Sequence, residues 1–289
     1  MKKIISALLA LCMLGSVSVF AIDAGQSRAV IGADLTADQI DSVYQNFGIK
    51  RGAVTELTVT NQDERKYLEG YVSEQLLGTH SISCVYIETL AEGAGLDVTA
   101  SNISWCKPEM YVSALATAGI TDAKVIVAAP FEVSGTAALT GMYMAYEDIT
   151  GEKLDEAAKR VGTQELTVTA QLADQIGSFD SVEIVNDLKL ILDETKDMND
   201  DELREQIREI ASKYNVGLTD SQIDQLISLC RALEKLDPDA LRAKVESVQN
   251  TIKKMAEATT KVSGFIESVK NIFSAIGEFF SRIFDSWKG

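Results

Sequence analysis

The sequence has 289 residues, 46% hydrophobic and 24% charged, with a formal net charge of −16 and a single histidine. Such acidity repels phosphate backbones and anionic headgroups. It excludes nucleic acid as a partner and leaves only hydrophobic means of touching a membrane. The length and apolar content suffice for a real core, and four cysteines are too few for a disulfide scaffold.

The chain opens on a leader. Lys2 and Lys3 precede an apolar run over residues 4–19, and Val19, Phe20 and Ala21 complete a cleavage site. Residues 1–21 read as a secretory signal peptide, too short to span a bilayer. A secreted or cell-surface location is therefore expected, with cleavage near Ala21. Leu11 precedes Cys12 where lipidation requires a small residue, so no lipid anchor is expected.

Residues 28–33 predict a short strand. Thr36 and Gln39 form a capping box for a helix carrying Ile40, Val43 and Phe47 on one face. Residues 54–60, β-branched and alternating, predict a second strand. Asn61 is expected to cap a helix running through Tyr67, Leu68, Tyr71, Val72 and Leu76. Residues 81–90 and 96–104 predict two strands joined by Glu92-Gly-Ala-Gly95, hence an antiparallel hairpin. Pro108 opens a helix that Gly119 stops. Residues 125–133 form the most apolar strand, expected at the sheet centre, and a helix over 136–146 follows.

Beyond Gly151 the pattern is helical: residues 154–161, 170–176, 182–192, 203–214, 221–233 and 241–258 all space apolar residues by three and four. The fold class is thus an α+β N-terminal domain with a mixed sheet, over 22–150, followed by an all-α domain over 151–261 and a terminal amphipathic helix over 262–289. Leu35-Thr-Ala-Asp-Gln-Ile-Asp41 is echoed at Leu218-Thr-Asp-Ser-Gln-Ile-Asp224, read as reuse of a good helix start. Glu56-Leu-Thr-Val-Thr60 recurs at 165–169, read as coincidence, since a true repeat needs one fixed period.

No catalytic or cofactor motif stands out. Cys84, Cys106, Cys230 and His80 lack the close ligand pairs of a zinc site. A bridge between Cys84 and Cys106 stays open beside three buried thiols. Asp197, Asn199 and Asp201 imitate a calcium loop, but Glu202 stands where glycine is required and Arg208 where a carboxylate is; Asn199 or Asp200 reads better as a helix cap. No metal or cofactor is expected. The one ligand-binding candidate is the strand–helix junction at 130–141, through Glu132, Ser134, Gly135, Thr136 and Gly141. Backbone donors at such a junction can hold an anion, although small residues there also serve close packing.

At the C-terminus, Phe265, Ile266, Val269, Ile272, Phe273, Ile276, Phe279, Phe280, Ile283, Phe284 and Trp287 follow three–four spacing. A helix there would be roughly 35 Å long with one aromatic stripe. Docking on its own domain, on a partner, or on a membrane surface are the three uses of such a face.

Ala129-Pro-Phe-Glu-Val-Ser-Gly-Thr-Ala-Ala-Leu-Thr-Gly141 closely resembles the signature stretch of the YpuA-like family, exported Firmicutes proteins with a domain of unknown function. Gly32-Ala-Asp-Leu35, Val59-Thr-Asn61, Glu109-Met-Tyr111, Thr117-Ala-Gly119, Ala123-Lys-Val125 and Leu218-Thr-Asp-Ser-Gln222 support it. The resemblance implies a Gram-positive envelope setting and supplies no catalytic residue. The expected function is a non-enzymatic envelope or extracellular interaction protein using its C-terminal helix. The alternative is an enzyme or small-ligand or anion binder with its site at 130–141.

Overall fold

The computed structural model describes residues 24–260; the expected leader, residues 1–21, and the aromatic stretch 262–289 lie outside them. The chain runs β1 (Ser27–Gly32), α1 (Ala37–Phe47), β2 (Thr55–Val59), α2 (Asn61–Leu68), α3 (Glu74–Leu77), β3 (Cys84–Thr89), β4 (Leu96–Ile103), α4 (Pro108–Ala118), β5 (Ala123–Val133) and α5 (Thr136–Thr150). Six helices follow among the described residues: α6 (Glu156–Ile176), α7 (Ser178–Leu190), α8 (Leu192–Thr195), α9 (Asp200–Lys213), α10 (Asp220–Leu233) and α11 (Pro238–Thr260). The expected class, a mixed sheet with helices followed by an all-helical region, is what forms.

The sheet order is β2-β1-β3-β5-β4, with β1–β2 and β4–β5 parallel and β1–β3 and β3–β5 antiparallel. The expected hairpin is corrected here: β3 and β4 do not pair, because β5 inserts between them. Val125, Val127, Ala128 and Ala129 of β5 are fully buried, so this strand needs neighbours on both edges and helices on both faces. The edges fall to strands with polar faces, β2 with exposed Glu56 and β4 with exposed Asp97.

Alternation along the strands sorts two apolar layers. Ala29, Ile31, Cys84, Tyr86 and Ala128 meet Val43, Tyr44 and Phe47 of α1. Val30, Val85, Ile87, Val98, Val125 and Val127 meet α4 and α5 through Met110, Leu115, Leu139 and Met142. Gly141 of α5 stands where an added Cβ would lie 3.1–3.3 Å from Val85 and Val30, so its small size lets the helix sit close on the sheet.

Local signals behave as read. Thr36–Gln39 and Thr219–Gln222 are both capping boxes, and Asn199 caps α9 through the Asp201 and Glu202 amides at 3.0 and 3.1 Å. Two helix boundaries are corrected. Thr60, not Asn61, caps α2, and that helix ends at Leu68 because Gly70 turns left-handed. The separate helices expected over 154–161 and 170–176 are one 21-residue helix, α6.

The helical region packs on the sheet region through α4. A second apolar cluster joins α6, α7, α9 and α10, and Val248 and Ile252 of α11 return to the first. Where α4, α6 and α7 meet lies a sealed polar network. Lys189 Nζ reaches Glu165 Oε1 at 2.5 Å with both side chains fully buried. Ser113 and Thr117 hydroxyls each donate to Glu165 at 2.6 Å, and Lys189 donates to Ser113 Oγ at 2.9 Å. Ser113 has one proton, spent on Glu165, so Asn186 must present its amide N–H to Ser113 Oγ across their 2.9 Å contact.

Candidate functional site

The junction after β5 turns on Gly135. Its φ of +94° suits glycine, and an added Cβ would lie 2.5 Å from both Ile103 and the Tyr111 hydroxyl. That hydroxyl donates to the Gly135 carbonyl at 2.6 Å, fixing the turn. Gly135 is the N-cap of the 15-residue helix α5 and has no side chain to offer its first-turn amides.

Opposite stands the loop after α3, pinned at several points. Arg65 holds both Glu74 carboxylate oxygens at 3.0 and 2.7 Å and the Gly78 carbonyl at 3.1 Å. The Ser81 amide donates to Asp34 Oδ2 at 2.7 Å. Gly32 lies so close that a Cβ there would sit 2.3 Å from the Ser81 carbonyl oxygen. Between loop and junction opens a cleft of about 290 Å³, walled by residues 77–80, 82 and 83 on one side and 133–137 on the other.

Glu64 of α2 closes the cleft. It is 1% exposed, and its Oε1 has no hydrogen-bond partner. Burial pushes its carboxyl up to about 7, and the Asp34 carboxylate adds to this. The hydroxyls of Ser81 and Thr136 and the Arg65 guanidinium pull the other way. Those hydroxyls lie near the carboxyl, yet neither closes a bond on Oε1, and Ser81 Oγ is itself buried without a partner. A buried acid with a displaced pKa and an orphan oxygen, facing a cleft, makes this the candidate site.

Of the residues expected to bind, Ser134, Gly135 and Thr136 line this cleft. Glu132 and Gly141 do not. Glu132 is exposed at the end of β5, and Gly141 belongs to the packing seam. The membrane or partner positions from Phe265 to Trp287 lie outside the described residues. Sequence reasoning missed Glu64, although a signal existed: Glu64, Tyr67 and Leu68 share one helical face, and that face is buried.

A second groove, about 370 Å³, lies between the ends of α4 and α6 and the α10–α11 turn. Three of its polar side chains are committed to structure. The Thr117 hydroxyl serves Glu165, Asp155 caps α6 at 2.8 Å, and Asp237 caps α11 at 3.1 Å.

Cys84, Cys106 and Cys230 are buried and free, and burial pushes each thiol up to about 12. Among the described residues, no three His, Cys, Asp or Glu side chains gather as metal ligands. No described helix is long and apolar enough to cross a membrane.

The family described as Protein of unknown function (DUF1002) matches residues 31–271, most of the chain. The chain belongs to the DUF1002 family. A curated relative, the uncharacterized protein YpuA of Bacillus subtilis (strain 168), is 37% identical over 294 residues, covering 99% of this chain and 98% of its own. No solved structure matches. Membership confirms the resemblance seen in the sequence. The DUF1002 description names no activity.

Proposed function

We propose that this DUF1002 protein is an exported binding protein that holds a small polar molecule in the Glu64 cleft. The observation that carries the reading is Glu64 itself. An acid 1% exposed with an unpartnered oxygen is costly to fold, and a bound donor group offsets that cost. The amino end of α5 and the hydroxyls of Ser134 and Thr136 supply further polar contacts on the same wall. Export rests on the Lys2–Ala21 leader pattern.

The test is a nuclear magnetic resonance screen with pooled amino acids, sugars, polyols and carboxylic acids. At least one pool is expected to shift the Glu64 carboxyl carbon together with the amides of 79–83 and 135–137. Pools that leave all of these signals in place would refute the cleft as a binding site.

A second reading concerns the C-terminal stripe. Described α11 is docked through Leu241, Val245, Val248 and Ile252, and eleven apolar positions at three–four spacing follow from Phe265 to Trp287. We propose that these residues give the exported protein a membrane-surface or partner contact. In liposome flotation, the chain lacking its leader is expected to float and the same chain cut at residue 261 to remain below. Equal flotation of both refutes the membrane role.

A further inference from the structure

We propose that the cleft takes a free α-amino acid, with its ammonium group on Glu64 and its carboxylate at the amino end of α5. This rests on the cleft being a ligand site and names the ligand's class.

Two features of opposite polarity adjoin there. Glu64 Oε1 is a buried acceptor lacking a donor. The α5 amino end concentrates backbone N–H groups and partial positive charge, and its Gly135 cap brings no side chain to them. The two face one cleft, which Glu64 lines together with Gly135, Thr136 and Ala137 at the start of α5. An α-amino acid carries a cation and an anion on one small molecule, so it can meet both.

Other ligands match only half of the site. An inorganic anion would meet the Glu64 and Asp34 carboxylates, and a simple amine would meet the positive end of α5. The volume, about 290 Å³, suits a molecule of a few heavy atoms. Leu77, Ile82 and Val133 line it beside the polar groups, which favours a small aliphatic side chain. The charged or titrating groups around Glu64 are Asp34 from the β1–α1 turn, Arg65 on its own helix and His80 on the cleft loop.

The deciding experiment is calorimetric titration of the whole leaderless chain with alanine, valine, N-acetylalanine, alaninamide and glucose. Alanine and valine are expected to bind. N-acetylalanine, without the cation, and alaninamide, without the anion, are each expected to bind at least about tenfold more weakly. Alanine affinity is expected to fall about tenfold from pH 8 to pH 6 as Glu64, with its pKa of about 7, takes up a proton.

Glu64→Gln, checked for folding by circular dichroism, is expected to lose the binding and flatten the pH profile. Glucose or N-acetylalanine binding as tightly as alanine would overturn the zwitterion while leaving a ligand cleft. Alanine and valine failing to bind would also overturn it, and the wider pooled screen then decides the cleft separately. A misfolded Glu64→Gln chain leaves the comparison of probes and the wild-type pH profile to decide.

Discussion

Lys189→Met is expected to lower the melting temperature by about 10 °C. The substitution strands the Glu165 carboxylate in a sealed interior, because Lys189 is its only cationic partner among the described residues and both side chains are fully buried. Breaking a buried pair on one side costs about 3–5 kcal/mol, since the surviving charge keeps its desolvation penalty and loses its compensation. In a chain of this size each kcal/mol moves the transition by about 2–4 °C. Burial already pushes the Lys189 ammonium down from its ordinary range, with Glu165 opposing that shift.

The double variant Lys189→Met, Glu165→Gln is expected to recover more than half of the loss. The amide introduced in place of the Glu165 carboxylate is neutral. Ser113 and Thr117 now donate to separate carboxylate oxygens, so the amide oxygen can accept from one hydroxyl while the amide N–H donates to the other. Thermal unfolding of the wild type and the single and double variants checks this. A double variant as unstable as the single one would show that the cost lies in packing and not in charge.

Glu64→Gln is expected to stabilise the protein at about pH 8 and to leave it unchanged near pH 4. The folded carboxyl titrates at about 7 against an ordinary value of 4.5. The native state therefore holds the proton more tightly than the unfolded chain. The protonated acid contributes its full stability below about 4.5, and that contribution is lost as pH rises through about 7. The interval corresponds to about 3 kcal/mol at pH 8, an upper figure for the gain when a neutral amide replaces the charge.

Urea unfolding at the two pH values measures the difference. Equal destabilisation at both would mean that Glu64 holds the fold through its shape. A gain at high pH would show that the acid is kept at a cost to stability, as residues retained for binding often are.

Much of the local structure was legible because it depends on neighbours in sequence. Thr36, Asn199 and Thr219 cap their helices from side-chain oxygens two or three residues away. Pro108 and Gly119 bracket α4 as read. Part of the site was legible too, since Ser134, Gly135 and Thr136 sit at a strand–helix junction whose geometry follows from the turn. The opposite wall was not. Glu64 and the loop over 77–83 come to the junction only by tertiary packing, α2 lying against α5, and residue 64 stands about seventy positions from residue 134.

The sequence by itself determined the family, the acidic character, the order of strands and helices, and the caps that start α1, α9 and α10. Tertiary structure alone decided which strands pair. Glu92-Gly-Ala-Gly95 invites a hairpin, but the apolar surface of β5 gains more from lying between β3 and β4 than the turn gains from pairing them.

It also decided what one pentapeptide becomes. Glu-Leu-Thr-Val-Thr covers most of the edge strand β2 at 56–60, where Glu56 is exposed and accepts the Tyr44 hydroxyl. At 165–169 the same five residues are an interior stretch of helix α6, with Glu165 fully buried against Lys189. Intrinsic preference differs between strand and helix by only about 1 kcal/mol or less per residue. Burying a helical face, and pairing a charge inside it, is worth more.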